Sequence, residues 1–496
     1  MSYNLKNIIK FLNTKNIDAW ISGGTARDIY LNREFTTVDI SVKASLSEIR
    51  EIFSERIIQL NQHNNSIVIS YLNNEYILYP LQTVVLENTY PIYKPTESLE
   101  EDAQSRDFTI NSLYYNPLTD AWLDYFGGKA DADNKKIKFI GSWDRKILES
   151  KIRLLRASVL VGVLGDGWEI DYHSSRGISN YSLKIAAASR KSINNELRKI
   201  FTRCQKPSLV FDSLKNTDVL QILFPEIMYC IGLDQSAKTV HYLDLYQHTM
   251  FALDSVNPTN ENRELIRVAA LLHDIAKPHT ETITERGRHF YNHEVVGKEL
   301  AEQILYRWGY PASFRKKVGL LIFHHLFNIK ASDSKTAIKK FVARVGPDLI
   351  HSVLDLRVAD INGVPQSKSL YQINNLRRKV NEVLAAVSPE NAKLALSDDE
   401  IENILVNYTE PNLLQESIKN SKKYLLSKIF LGRVYNKKPN LKKQLKQTLE
   451  ITCPLDIPHL LSTWENIQKG DADTFKDGRL KCGVYCGFNC DKKLSK

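Results

Sequence analysis

The chain has 496 residues, 43% hydrophobic and 25% charged, the balance of a packed globular protein rather than a disordered or fibrous one, with length for roughly three or four domains. Its formal charge of +10 and pI near 9.0 suit a polyanionic partner, because Lys and Arg that neutralise phosphates release condensed counterions. No run approaches the roughly eighteen apolar residues of a membrane helix, and residues 1–15 carry no signal-peptide core or cleavage site, which predicts a cytoplasmic protein without membrane contact.

In chain order, Leu5, Ile8, Ile9 and Leu12 keep helical spacing, and residues 18–22, 37–42, 66–71 and 75–79 read as short strands. They predict a small mixed sheet with flanking helices over residues 1–140. From Ser142 the pattern turns helical: 153–163, 191–203 and 208–223 carry apolar residues three and four apart, with a strand only near 168–170. A second helical block begins near His241, runs past Asp360 and breaks at Gly363-Val364-Pro365 before a further helix over 371–386. The remainder includes a Lys-rich span (Lys419, Lys422, Lys423, Lys428, Arg433, Lys437, Lys438, Lys442, Lys443, Lys446) that reads equally as an RNA grip or a solvated face. The six cysteines, Cys204, Cys230, Cys453, Cys482, Cys486 and Cys490, are too sparse for a disulfide framework. The last three recur every four residues, but no fourth zinc ligand lies nearby, so this end reads as a Gly-rich tail.

Three segments carry chemistry at the N-terminal end. Ile21-Ser22-Gly23-Gly24-Thr25-Ala26-Arg27-Asp28 puts two glycines between a strand and a helix, where backbone approaches a triphosphate and N–H groups face the anion. Val38-Asp39-Ile40-Ser41-Val42 follows on a predicted strand, and Glu100-Glu101-Asp102-Ala103-Gln104-Ser105-Arg106-Asp107-Phe108-Thr109-Ile110-Asn111 lies downstream. In order and spacing these segments resemble the Gly-Gly-x-x-Arg-Asp, Asp-x-Asp and Arg-Arg-Asp-Phe-Thr-Ile-Asn motifs of class II tRNA nucleotidyltransferases and bacterial poly(A) polymerases. The resemblance continues through Asp124-Tyr125-Phe126-Gly127-Gly128, Arg153-Leu154-Leu155-Arg156-Ala157 and Phe224-Pro225-Glu226. It implies Asp39 as a catalytic residue, and Gly23, Gly24, Arg27, Asp28, Arg106, Asp107, Asn111, Arg153 and Arg156 as nucleotide- or RNA-binding residues. It also implies Mg and a nucleoside triphosphate at the head.

The departures all strike chemistry and leave packing alone. The family's Asp-x-Asp holds two metal ions from one side of a strand, and here the second position is Ser41, a poor ligand for a hard divalent cation. A further acidic residue expected from a neighbouring strand aligns with Leu78. Where the family reads its base through Glu-Asp-x-x-Arg, this chain has Glu149-Ser150-Lys151-Ile152-Arg153, and its Glu-Arg pair becomes Lys191-Ser192 ahead of Glu196-Leu197.

Further on, Gln247-His248-Thr249 lies on a predicted helix and Leu271-Leu272-His273-Asp274-Ile275-Ala276-Lys277-Pro278 ends another. A His-Asp pair joined by a His and an Asp from other helices, here His248 and Asp360, supplies imidazole and carboxylate ligands for one cation. The pattern resembles the HD phosphohydrolases. His293, His324 and His325 add ligands for a second metal, and Lys277 reads as a phosphate contact or as a solvated helix-end cation. The expected metal set is His248, His273, Asp274, Asp360, His293 and His324, holding Mg, Mn or Ni, with Lys277 catalytic.

The expected fold class is α+β: a nucleotidyltransferase-like head (1–140), a helical neck (141–240), an HD body (241–370) and a basic helical tail (371–496). The expected partner is tRNA or another RNA 3′ end, with a protein partner left open. Three functions compete: an HD hydrolase with a degraded transferase head, an active CCA- or A-adding enzyme, and a silent tRNA-binding scaffold.

Overall fold

A computed structural model describes residues 4–61, 65–87, 90–235, 243–285, 287–364, 370–385, 394–409, 411–430 and 438–449. Cys453, Cys482, Cys486, Cys490, His241, Pro365, Arg433 and Lys437 lie outside the described residues. The chain divides into two compact units, Met1–His325 with Asp355–Ser367, and Leu326–Leu354 with Lys368–Lys496.

The first unit begins with α1 (Leu5–Thr14), β1 (Ala19–Ser22), α2 (Gly23–Tyr30), β2 (Val38–Val42), α3 (Leu46–Phe53), β3 (Ile57–Asn61), β4 (Ser66–Tyr71) and β5 (Asn74–Pro80). The hairpin of β6 (Gln82–Glu87) and β7 (Tyr90–Pro95), then α4 (Leu99–Ser105), β8 (Tyr114–Asn116), β9 (Ala121–Leu123) and α5 (Gly128–Asp133) complete the head. Seven strands form one sheet in the order β3-β4-β5-β2-β1-β8-β9. The pair β2–β5 is parallel and the other pairs are antiparallel.

Strand alternation decides what each face does. Ile40 and Val42 of β2, Ile67 and Ile69 of β4 and Leu78 of β5 are buried against Ile8, Ile9 and Leu12 of α1. The opposite face of β2 carries Asp39 and Ser41, which pair in register with Ile77 and Tyr79 of β5. Leu78, the residue aligned with the missing acid, is therefore a core residue, and Tyr79 is the one that stands beside Asp39 and Ser41. A one-residue offset moves a strand side chain to the other face.

Beyond β10 (Lys136–Ile137), which pairs parallel with β11 (Glu169–Ile170), the described residues of the first unit are helical apart from one hairpin. It continues with α6 (Trp143–Glu149), α7 (Arg153–Leu164), α8 (Tyr172–Asn180), α9 (Arg190–Arg203), α10 (Ser208–Asn216), α11 (Leu220–Leu223) and α12 (Pro225–Met228). The single helix expected over 208–223 is broken: Asp218, between α10 and α11, has φ +60°, a left-handed conformation that ends a helical run. Next come α13 (Leu245–Asp254), α14 (Arg263–Leu272) and α15 (Lys277–Thr280). The hairpin β12 (Glu281–Thr284) and β13 (Gly287–Phe290), which the helical reading of this block missed, precedes α16 (His293–Arg307) and α17 (Ala312–His324). After α18 (Lys335–Val345) of the second unit, α19 (Ile350–Asn362) supplies the remaining helix of this block.

Within the first unit, Arg267 of α14 is fully buried and donates from Nη1 to the carbonyls of Phe201 (3.1 Å) and Cys204 (2.7 Å), at the C-terminal end of α9. A cation there meets the negative end of the helix dipole.

The second unit adds α20 (Tyr371–Ala385), α21 (Asp398–Leu405), α22 (Leu414–Phe430) and α23 (Lys438–Leu449), whose core includes Leu396, Ile401, Leu405, Leu425, Leu441 and Leu445. Part of the Lys-rich span is engaged within this unit: Lys422 pairs with Asp398, and Lys438 and Lys442 pair with Glu400. On α18, Lys335, Lys339, Lys340 and Arg344 are exposed and have no carboxylate partner among the described residues. No helix of the described residues is long and apolar enough to cross a membrane.

Candidate functional site

The densest cluster of ligand atoms gathers the ends of five helices. Asp244 and Gln247 form a capping box that starts α13, which places His248 one turn in. His273 and Asp274 follow the last turn of α14, His293 opens α16, His325 follows α17, and Asp360 lies in the last turn of α19. Each imidazole is oriented by a backbone carbonyl through Nδ1: His248 by Gly363 (3.2 Å), His273 by Ala270 (2.8 Å), His293 by Phe290 (2.7 Å) and His325 by Ile322 (2.6 Å). A carbonyl only accepts, so Nδ1 bears the hydrogen and Nε2 keeps its lone pair in the neutral ring.

Those Nε2 lone pairs converge. His248 Nε2 lies 3.3 Å from His273 Nε2 and 3.3 Å from Asp360 Oδ1, while His273 Nε2 lies 3.1 Å from Asp274 Oδ2. His293 and His325 approach the other oxygen, Asp274 Oδ1, at 3.2 and 3.6 Å. Acceptors facing acceptors in a buried site repel unless positive charge stands among them. Two groups result, His248 with His273 and Asp360, and Asp274 with His293 and His325, the ligand atoms in each lying within 4.8 Å of one another. Asp274 turns one oxygen to each group.

The titration directions follow this shortage of positive charge. Burial pushes the Asp274 and Asp360 carboxyls up, yet His273 and Lys277 beside Asp274, and His248 and His273 beside Asp360, hold both well below the usual range. Burial lowers His273, but Asp274 and Asp360 outweigh it and raise the imidazole to about 10. The site therefore takes up a cation, whether proton or metal.

The expected ligand set needs one correction: His325, not His324, joins the cluster. His324 is also buried, with its ring 4.9 Å from Phe323, but it belongs to neither group. Lys277 is not a solvated helix-end cation: its Nζ lies 2.6 Å from Asp274 Oδ2 and 2.7 Å from Gln235 Oε1. Sequence reasoning did not assign Gly363 as the carbonyl that orients His248.

In the head, Gly23 takes φ +63° at the start of α2, and a Cβ there would meet Arg106 Nη1 at 3.1 Å and Asp39 Oδ2 at 3.4 Å. Arg27 donates to Asp28 (2.7 Å) and to Asn111 (2.9 Å), Asn111 donates to Asp107 (2.9 Å), and Arg156 joins Asp107 (2.9 Å) to Glu196 (2.9 Å). One chain of polar contacts thus runs from α2 to α7 and α9. A cleft of 460 Å³ opens beside it, lined among others by Arg156, Ser192, Asn195, Arg198, Lys199 and Arg203. Arg153 lies apart from that surface: it is buried, and Nη1 is held by Glu149 at 2.6 Å and by the Lys146 carbonyl at 2.8 Å, so the expected nucleotide contact would require that ion pair to open.

The head residues do not fit a pair of divalent ions. Ser41 Oγ donates to Ser22 Oγ (3.0 Å) and accepts from Arg106 Nη2 (2.8 Å). Tyr79 stands beside Asp39, and burial pushes the Asp39 carboxyl up to about 6 despite Arg106 and Arg27. Among the described residues, no group of three candidate ligands forms in the head. Asp102, to which the motif gave no role, is the carboxylate that holds Arg106.

Residues 19–138 match the poly A polymerase head domain and residues 239–361 match the HD domain. The chain is 26% identical over 272 residues to the A-adding tRNA nucleotidyltransferase of Deinococcus radiodurans, covering 53% of this chain and 60% of that protein. It is 29% identical over 199 residues to a CCA-adding enzyme of Geobacillus sp. (strain WCH70), covering 39% and 48%. It therefore spans less than two thirds of either relative. In fold it is similar to the Bacillus stearothermophilus CCA-adding enzyme solved in complex with CTP, at TM-score 0.59 and 19% identity, covering 89% of this chain and 96% of that one.

Proposed function

We propose, for a chain that belongs to the tRNA nucleotidyltransferase and poly(A) polymerase family and carries an HD domain, that its working centre is the HD block and that its transferase head is degraded. In this reading the protein is a cytoplasmic, metal-dependent phosphohydrolase acting on RNA 3′ ends or nucleotides. The head (1–140) and neck (141–240) serve as its RNA-binding module, the HD body (241–370) as its hydrolytic centre and the tail (371–496) as a basic extension.

The observation that carries the reading is the convergence of four Nε2 lone pairs and two carboxylates, each imidazole fixed through Nδ1 by a backbone carbonyl. This arrangement of outer partners orients ligands and fixes tautomers at metal sites. His248, His273 and Asp360 would hold one divalent ion, His293 and His325 a second, with Asp274 shared between them. A divalent ion there supplies polarisation of a phosphoryl oxygen and a lowered pKa for water. The chain's own part is to keep the ligands dry and pointed inward, and to hold the Lys277 ammonium beside Asp274, where it can turn to a phosphate oxygen once the carboxylate is neutralised.

The test is elemental analysis of protein purified without chelator, together with hydrolysis of p-nitrophenyl phosphate and its bis-ester under added manganese, nickel or magnesium. Metal and turnover are expected in the wild type and lost in His273→Ala with Asp274→Ala, while tRNA binding persists. Absence of both metal and turnover in the wild type would leave the silent-scaffold reading. Robust addition of CCA or A to tRNA lacking its terminal residues would restore the active-transferase reading.

A further inference from the structure

Both carboxylates of the HD centre carry a cation three residues away along the chain. Lys277 Nζ lies 2.6 Å from Asp274 Oδ2, and Arg357 Nη1 donates to Asp360 Oδ2 at 2.6 Å. The two pairs are not equivalent. Lys277 shares the oxygen that His273 Nε2 also approaches, at 3.1 Å, so the ammonium has to yield when an ion reaches that oxygen. Arg357 takes the outer oxygen of Asp360, whereas His248 and His273 approach Oδ1, at 3.3 and 3.6 Å. The arrangement follows from α19, because residues three apart share a helix face. Arg357 stands one turn before Asp360 and nearer solvent, its side chain 30% exposed against 16% for the aspartate. A guanidinium stays charged at every working pH, so this hold does not lapse.

We infer that Arg357 is a positioning residue of the HD centre: by holding Asp360 Oδ2 it leaves only Oδ1 to ligate, and so keeps one coordination position of the first ion open for a phosphoryl oxygen. The inference rests on the metal-dependent reading of the site and names a residue that reading left out. A carboxylate ligates through one oxygen or through both, and a catalytic site needs a position that no protein atom fills. The charge-assisted bond from the guanidinium engages the Oδ2 lone pair away from the ion. Without it, Asp360 would be free to close on the ion with both oxygens and exclude water or substrate from that position.

It follows that loss of Arg357 separates two quantities that structural damage would lower together. Removing a nearby positive charge and adding a ligand atom both favour the bound ion, so metal affinity holds or rises. Turnover falls, because the place of the substrate oxygen is taken. Arg357→Lys keeps a cation within reach of Oδ2, as Lys277 does for Asp274 over the same spacing, and should behave as wild type.

The experiment loads the full chain with manganese and compares wild type, Arg357→Met and Arg357→Lys. Chelator competition gives affinity, water-proton relaxation gives the exchangeable water per bound ion, and p-nitrophenyl phosphate gives kcat and KM. In Arg357→Met the expected result is undiminished affinity, relaxation per ion lower by the share of one water, and kcat lower by about 10–100-fold, all restored in Arg357→Lys. Unchanged relaxation in a folded Arg357→Met overturns the inference, whether affinity and turnover fall together, as for a structural brace, or KM alone rises, as for a direct phosphate contact. Should Arg357→Met not fold, Arg357→Ala, which removes the same cation and favours the helix, is read in its place. A wild type that binds no manganese refutes the HD reading and the inference with it, whereas a wild type that binds and hydrolyses confines a failure to Arg357.

Discussion

Replacing Gly363 by alanine perturbs the HD centre without touching a ligand. A Cβ there would stand 2.8 Å from both Cε1 and Nδ1 of His248 and 3.0 Å from the Asp360 carbonyl. Carbon contacts settle at about 3.5–4.0 Å, so the imidazole must retreat by roughly 0.7–1 Å. The retreat lengthens the 3.2 Å bond that ties Nδ1 to the Gly363 carbonyl and swings Nε2 away from Asp360 and His273. Outer partners of this kind are worth about 10–100-fold in metal affinity, or about 1.4–2.8 kcal/mol, and the crowding costs a further ~1–3 kcal/mol of stability. The backbone itself is not strained, since Gly363 is not among the residues at positive φ. Gly297→Ala is the matched control: it lies in α16 of the same block, its Cβ would meet nothing closer than Ile322 Cγ2 at 3.4 Å, and alanine in a helix should add ~0.5–1 kcal/mol. Metal affinity measured by chelator competition should fall in Gly363→Ala and hold in Gly297→Ala. Equal affinity in wild type and Gly363→Ala would show that His248 does not ligate.

Arg156→Met should destabilise the first unit by about 1–3 kcal/mol, less than the roughly 3–5 of a fully buried pair because Arg156 is partly exposed. Asp107 and Glu196 are pushed up by burial but held below the ordinary carboxylate range by Arg156 and its neighbours. Their contribution is therefore complete above the unfolded carboxylate range and disappears as pH falls through their depressed folded values. The gap in melting temperature between wild type and variant should begin to close as pH falls below about 4 and narrow further toward the depressed folded values, and a gap that stays constant down the acid range would contradict the assignment. Binding of tRNA should weaken steeply with salt, and replacing Lys335, Lys339, Lys340 and Arg344 by glutamine should flatten the log–log slope by about 0.7–0.9 for each phosphate that is no longer neutralised. The same change at Lys422, Lys438 and Lys442, already paired with Asp398 and Glu400, should flatten it less, and an equal effect of the two sets would argue against a special role for α18.

The motifs that survive as sequence, from Gly23-Gly24 through Asp107 and Asn111 to His273-Asp274, are brought into two sites as their order suggested. What the sequence could not carry was facing. Leu78 and Tyr79 are adjacent, and only the register of β5 against β2 decides that the leucine enters the core and the phenol meets Asp39. His324 and His325 are likewise neighbours at the end of α17, and packing selects His325. In the hairpin of β12 and β13 the first strand is exposed and the second half-buried along its whole length, with no alternation of burial, so the helical pattern around it hid it. The arginine that donates to Ser41 lies 65 residues away, and no local spacing reports such a pairing.

Arg267 gives the two halves of the first unit a common fate. Its guanidinium belongs to the helix that delivers His273, yet its acceptors are the carbonyls of Phe201 and Cys204 at the end of α9. An HD block excised at its apparent boundary would carry that charge inward with nothing to receive it, and a neck expressed alone would expose the carbonyls it caps. The neck and the HD block thus depend on each other mechanically, whatever chemistry each of them carries out. The end of α9 is tied in this way to the helix that delivers His273, and any attempt to isolate the HD block from this chain has to take the neck with it.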